Sequence, residues 1–75
     1  MRNGNEFPQV GSTLKGTVET LGSTGATVEL NCGYEAYLPF REAREVLREG
    51  QNVTVEVLSI TPGPRGGQSI RVCQV

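Results

Sequence analysis

The sequence contains no histidine and only two cysteines, and this composition argues against catalysis. Histidine is the usual general base near neutral pH, and a cysteine nucleophile needs a basic partner to activate it. Cys32 and Cys73 have no such partner at a suggestive spacing, and the glycines form no phosphate-binding loop of the GxxxxGK[ST] type. We therefore expect no catalytic residues and no enzyme activity.

The same two cysteines do not form a recognisable metal site. A structural zinc site needs four ligands, which usually come from closely spaced cysteine and histidine pairs, and the sequence has none. Because nothing in the sequence suggests secretion, we predict two free thiols that pack as small apolar groups rather than a disulfide. No metal and no cofactor are expected.

Long apolar runs are missing as well. No segment approaches the roughly 18 apolar residues of a membrane span, and no signal-peptide pattern follows Met1. With 36% hydrophobic and 20% charged residues, the chain has the composition of a soluble globular domain. We expect a soluble cytoplasmic protein with no membrane partner.

An excess of positive charge is also absent. The chain has 7 Lys and Arg against 8 Asp and Glu, for a net charge of −1. Nucleic-acid-binding domains usually carry a basic patch or stripe. Any interaction with nucleic acid must therefore depend on a local patch rather than on the overall charge.

What the sequence does contain is regular alternation of apolar and polar residues. Two alternating stretches within residues 16–30 flank the small residues 22–25, whose glycines suit a tight reversal, and predict a β-hairpin. Gly16, in the middle of the first stretch, indicates a sharp bend or the close approach of another backbone. The alternation predicts five strands in all, at residues 9–21, 25–31, 35–39, 52–60 and 68–75.

Two segments break this alternation. Residues 41–50 contain strong helix formers, place Ala43, Val46 and Leu47 on one face, and predict a helix of about two turns. Residues 61–67 are rich in glycine and proline and predict a loop. Phe40 has the inward parity of the third strand, so we expect it in the core.

Five strands with one short helix between the third and fourth are typical of the OB-fold, an all-β, five-stranded Greek-key barrel. A closed barrel suits a chain that buries only about 60% of the surface of its unfolded form. An SH3-like barrel is the main alternative, but it usually lacks a helix at this position. We expect one domain at residues 9–75, monomeric in isolation, after a flexible leader at residues 1–8 from which Phe7 packs on the barrel.

Four segments in order resemble the S1 RNA-binding domain, the family named after the repeats of ribosomal protein S1. They are VGSTLKGTV (10–18), GATVEL (25–30), EAYLP (35–39) and GQNVTVEVL (50–58). The segment EAYLPFREA (35–43) is most similar to repeats of the ribosomal protein, of cyanobacterial or plastid type. The resemblance implies an OB-fold and a role in translation or RNA processing. It also implies a plastid location if the chain is organellar. The sequence is compatible both with a complete small protein and with one repeat of a longer protein.

The resemblance further implies binding of single-stranded RNA across the second and third strands. Family members commonly carry an aromatic residue before the second-strand glycine, another inside that strand, and a histidine at the end of the third strand. Thr24, Thr27 and Pro39 occupy these positions here. The usual stacking platform is therefore absent, and Thr24 and Thr27 remain as candidate contacts that cannot stack on a base.

Two tyrosines and five basic residues are the other candidate RNA contacts, since bases stack on aromatic rings and basic groups contact phosphates. Tyr37 has outward parity and Tyr34 lies in the preceding turn; for both, a packing role is the alternative. The candidate phosphate contacts are Lys15, Arg41, Arg44, Arg65 and Arg71. Arg65 is the best placed of these because it lies in the glycine-rich loop. The alternative is that this loop is a plain connector.

Two functions from different classes are consistent with these residues. The first is a weak, sequence-tolerant RNA-binding module whose partner is single-stranded RNA. The second is a protein-docking module in a ribosomal or RNA-processing assembly, with ribosomal proteins as partners. The missing stacking positions and the near-neutral charge favour the second function, and the family resemblance favours the first.

Overall fold

The described chain forms a barrel of five β-strands. The structure is a computed structural model, and it describes residues 7–63 and 67–75. The strands are β1 (Thr13–Leu21), β2 (Gly25–Leu30), β3 (Glu35–Pro39), β4 (Asn52–Pro62) and β5 (Gln68–Gln74). They close in the order β1-β2-β3-β5-β4, with β3 and β5 parallel and every other neighbouring pair antiparallel. This confirms the predicted OB-fold barrel.

The core consists of the inward-facing residues of all five strands, because successive strand residues point to opposite faces. Leu47 joins it from the connection between β3 and β4. The buried cluster contains Val18, Ala26, Val28, Leu30, Ala36, Leu38, Leu47, Val53, Val55, Val57, Ile70 and Val72. Phe7 packs against this cluster, which confirms the predicted contact of the leader with the barrel. Cys32 and Cys73 are free, half-buried thiols.

Gly16 allows two strand backbones to approach closely, as its position predicted. It pairs with Leu30 on β2 and with Val53 on β4. A Cβ at this position would lie 2.7 Å from the main-chain oxygen of Glu29 and 2.7 Å from Cγ1 of Val28. Any side chain here would therefore force β1 away from β2.

The helix predicted at residues 41–50 is wrong. Among the described residues, this connection contains one three-residue 3₁₀ turn, Phe40–Glu42, and the backbone at Ala43 is already extended, with φ −87° and ψ 153°. The N–H of Arg44 donates to Oε1 of Gln74 at 2.8 Å instead of to the preceding helical turn. Val46 is 81% exposed, so only Ala43 and Leu47 of the expected apolar face meet the barrel. A tertiary contact with β5 thus overrides the helix propensity of the segment.

The expected burial of Phe40 is also wrong, since this residue is 40% exposed. Its N–H donates to the main-chain oxygen of Thr24 at 2.9 Å, and the 3₁₀ turn begins there. The alternation of β3 therefore ends at Pro39 and no longer decides where the next side chain points. None of the helices in the described part of the chain is long and apolar enough to cross a membrane.

Candidate nucleic-acid interface

Tyr37 projects from the outer face of β3, and its ring lies against β2. The register pairs Tyr37 with Thr27 and Pro39 with Gly25, which makes Tyr37 and Gly25 diagonal neighbours. A Cβ on Gly25 would lie 2.7 Å from both Cζ and the hydroxyl oxygen of Tyr37. The hydroxyl groups of Tyr37 and Thr24 form a hydrogen bond. The ring is thus held at its hydroxyl end while the residue stays 36% exposed.

A cleft of about 290 Å³ opens beside this ring. The residues that line it are Thr24, Tyr37, Pro39, Arg41 and Arg71. All of them except Pro39 are candidate contacts from the sequence. The topology explains their meeting, because Tyr37 and Arg71 pair across the parallel β3–β5 seam and Arg41 lies in the 3₁₀ turn directly after β3.

Arg41 and Arg71 supply the positive charge of the cleft. The Arg41 side chain is 77% exposed, and its Nε lies 4.0 Å from Oε2 of Glu42. An exposed ion pair at this distance contributes about 0–1 kcal/mol to folding stability, so the Arg41 guanidinium remains available to bind a ligand. Arg71 is exposed and forms no ion pair with another described residue. Both side chains can therefore donate hydrogen bonds to phosphate oxygens, in the bidentate geometry that guanidinium favours.

Two of the cleft residues, Tyr37 and Arg71, belong to a row that crosses the sheet at right angles to the strands. Thr27 on β2 pairs with Tyr37 on β3, and Tyr37 pairs with Arg71 on β5. We call these three residues the contact row. It combines one aromatic ring with one guanidinium on a continuous surface.

A second row lies two residues away on β2 and β3, includes a residue of β1, and has the opposite charge. Glu29 on β2 pairs with Glu35 on β3, and Glu19 lies at the bulge of β1. We call these three residues the acidic row. A hydrogen bond with Glu35, then desolvation, then repulsion by Glu35 and Glu29 raise the pKa of Glu19. The outer face is therefore cationic and aromatic at one level and acidic at the next.

Tyr34 packs against Phe7 and does not line the cleft. Its ring is half-buried against the core and meets the ring of Phe7 edge to face, with centroids 4.9 Å apart and an interplanar angle of 83°. Its main-chain oxygen also accepts the N–H of Leu30 at 2.7 Å. Of the two tyrosines, only Tyr37 reaches the cleft.

Lys15 lies in a different depression, a polar groove of about 660 Å³ formed by β1, β2 and β4. The polar side chains of this groove are those of Lys15, Thr17, Glu29, Asn31, Asn52 and Thr54. The groove and the Tyr37 cleft share no lining residue. Lys15 is therefore not brought together with Arg41 and Arg71.

Arg44 has a structural contact that the sequence did not indicate. Its Nε donates to the main-chain oxygen of Gln74 at 3.2 Å, and it lines a depression of about 300 Å³ that adjoins Arg41. Part of its hydrogen-bonding capacity is therefore used to hold the connection against β5. Arg65, the remaining candidate, lies outside the described residues.

The sequence reasoning missed two contributions to this interface. Gly25 was interpreted as a turn residue and the start of the second strand, yet its missing side chain makes room for the Tyr37 ring. Glu19, Glu29 and Glu35 were also given no role in the sequence analysis. The β2–β3 register would have revealed both features, because it places Gly25 diagonally from Tyr37 and pairs Glu29 directly with Glu35.

Comparison with known proteins supports the fold. No protein-family model and no curated protein sequence matches the chain. Among solved structures, an uncharacterized protein from Methanocaldococcus jannaschii is similar with a TM-score of 0.77. The match covers 93% of this chain and 96% of that chain at 22% sequence identity. At this identity the likeness shows the fold alone.

Two structures from Pyrococcus species are similar at higher identity. One is a chain of the a/eIF2alpha–aDim2p–rRNA complex from Pyrococcus horikoshii, with a TM-score of 0.74, 31% identity and coverage of 91% of this chain. The other is the alpha subunit of aIF2 from Pyrococcus abyssi, with a TM-score of 0.72, 29% identity and the same 91% coverage. The match spans 45% of the first of those chains and 29% of the second. Both likenesses agree with the OB-fold barrel.

Proposed function

We propose that this protein is a single-stranded RNA-binding module that uses the cleft beside Tyr37. The observation that carries the proposal is the meeting of an exposed tyrosine with Arg41 and Arg71 around one cleft. Stacking of a base on an aromatic ring contributes about 1–3 kcal/mol, and guanidinium groups bind the phosphates on either side. One ring stacks with any base, so binding is weak and tolerant of sequence.

Two further observations support this proposal. Four sequence segments resemble the S1 RNA-binding domain, and a similar chain from P. horikoshii was solved in a complex that contains rRNA. We place the module in the cytoplasm, in translation or RNA processing, as a monomeric domain that binds and does not catalyse. A repeat of ribosomal protein S1 is the specific identity that the resemblance favours.

The test is titration of the ¹⁵N-labelled protein with oligouridylate at low salt. We expect shifts at Thr24, Tyr37 and Arg71. Arg71→Ala should weaken binding and reduce the slope of log K against log salt by about 0.7, the value for one phosphate contact on a single strand. Lys15→Ala, outside the cleft, is the matched control and should leave the slope unchanged. The proposal fails if the oligonucleotide causes no shifts at low salt, or if the two variants behave alike.

A protein-docking module is the second candidate, and the polar groove around Lys15 is the observation that favours it. This groove is larger than the Tyr37 cleft, at about 660 Å³ against about 290 Å³, and it borders the acidic row through Glu29. Ribosomal proteins freed of RNA by nuclease would be the probe. Shifts at Asn31 and Asn52 without shifts at Tyr37 would favour docking over RNA binding.

A further inference from the structure

We propose that the acidic row confines RNA to the contact row, so that the domain binds about two nucleotides rather than a longer strand. This inference rests on the proposed function and adds the size and the path of its ligand. OB-folds bind sites of about 4–16 nucleotides. Three features of this chain set a shorter limit.

The first feature is the supply of stacking surfaces. Tyr37 is the aromatic residue that lines the cleft, while Tyr34 packs against Phe7 and Phe40, although 40% exposed, does not line the cleft. The threonines of the cleft and the contact row, Thr24 and Thr27, have no ring on which a second base can stack. One base is therefore stacked, with Arg41 and Arg71 beside it for the adjoining phosphates.

The second feature is the distance between the two rows. Glu35 precedes Tyr37 by two residues on β3, which corresponds to about 7 Å along the strand. A strand of RNA that continued from the Tyr37 cleft along β3 would bring its next phosphates beside Glu35 and Glu29, which are paired across β2 and β3. Like charges at this separation repel one another even in water.

The third feature is that no basic group among the described residues neutralises the acidic row. Within residues 7–63 and 67–75, no Lys or Arg forms an ion pair with Glu19, Glu29 or Glu35. Lys15 lines the groove that Glu29 borders, but it does not approach that carboxylate within 4.0 Å. The repulsion is therefore not cancelled locally, and the favourable path crosses the strands from β2 over β3 to β5.

The experiment measures association constants for oligouridylates of one, two, four and eight nucleotides. Each constant is divided by the number of positions along the oligonucleotide at which the site can bind. We expect the corrected constant to rise from the mononucleotide to the dinucleotide and then to stay constant within about twofold. A continued rise to the octamer would overturn the inference while leaving RNA binding itself intact. Absence of binding at every length would instead reject the proposed function.

The double variant Glu29→Gln, Glu35→Gln tests whether the acidic row causes this limit on the length of bound RNA. Removing the repulsion of one carboxylate at about 7 Å should raise the octamer constant relative to the dinucleotide constant by about threefold, so the double variant should raise it by about sevenfold. Glu56→Gln is the control, because Glu56 on β4 pairs with Thr13 on β1 and Cys73 on β5 and lies away from the contact row. An unchanged ratio in the double variant, or an equal rise in the control, would overturn the role of the acidic row.

Discussion

The ring of Tyr37 occupies the space that a side chain at position 25 would need. A Cβ on Gly25 would lie 2.7 Å from Cζ of Tyr37 and 2.6 Å from the main-chain oxygen of Leu38. The backbone contact cannot be relieved by a rotamer change. The proposed RNA interface therefore depends on a residue that carries no functional group.

Replacement of Gly25 by alanine should destabilise the protein and displace the Tyr37 ring. Forcing an extra methyl group into a close-packed site costs about 1–3 kcal/mol. Urea unfolding would measure the free energy of unfolding, and RNA titration would measure the accompanying loss of affinity. Gly67→Ala is the matched control, because a Cβ there meets nothing within 4 Å. Equal stabilities of the two variants would contradict this account of Gly25.

Tyrosine variants should separate the ring of Tyr37 from its hydroxyl group. Tyr37→Ala removes the stacking surface and should weaken oligouridylate binding about 5- to 150-fold, which corresponds to about 1–3 kcal/mol. Tyr37→Phe loses the hydrogen bond with Thr24 but keeps the ring, so it should retain most of the affinity. Tyr34→Phe should bind like the unmodified protein. An Ala variant with undiminished affinity would show that the bases stack elsewhere.

The acidic row should make stability depend on pH. The pKa of Glu19 is raised above its ordinary value of 4.5, so the folded state favours the protonated carboxyl more than the unfolded state does. The contribution of Glu19 protonation to the free energy of unfolding is therefore complete below pH 4.5, and it is lost as the pH rises through the raised pKa. Glu19→Gln should have the higher melting temperature at pH 7, and the difference from the unmodified protein should shrink as the pH falls towards 4.5.

A melting-temperature difference that stays constant with pH would contradict that prediction. Glu56→Gln controls for the removal of one negative charge on another strand. It should not reproduce the pH-dependent difference, since the carboxylates that interact with Glu19 are those of Glu29 and Glu35.

Gln74 should prove necessary for the connection between β3 and β4. Its buried side chain accepts the N–H of Arg44 at 2.8 Å and donates from Nε2 to Oε2 of Glu45 at 2.7 Å. Gln74→Leu leaves the Arg44 N–H without its partner, which should cost about 1–3 kcal/mol. Hydrogen exchange at the Arg44 amide should accelerate. Gln68→Leu, at the exposed start of β5, is the control; similar exchange rates in both variants would refute the assignment.

Much of the fold follows from alternation, which is a local property. β3 has the bounds predicted for it, and β2, β4 and β5 differ from their predicted bounds only at the C-terminal end. β1 begins at Thr13 rather than at residue 9, because the Ser12 N–H closes a turn onto the main-chain oxygen of Gln9 at 3.0 Å. The outward direction of Tyr37 was also predictable, since parity within one strand determines it.

The residues outside the strands were not predictable in this way. Phe40 and Val46 are exposed because the chain leaves the strand geometry at Pro39 and is then held by Gln74, a residue on another strand. Tyr34 packs on Phe7 for a similar reason, since both lie beyond the ends of regular elements. In such segments, tertiary hydrogen bonds and contacts compete successfully with weak local preferences.

The sequence by itself determined the strands, the core and the OB-fold class, because a period of two assigns each strand residue to the inside or the outside of a small barrel. Only the tertiary structure decided which outward residues become neighbours. The parallel pairing of β3 with β5 places Arg71 beside Tyr37, and the β2–β3 register places Glu29 beside Glu35. Strand pairing joins residues that are distant along the chain, and no local pattern encodes that register.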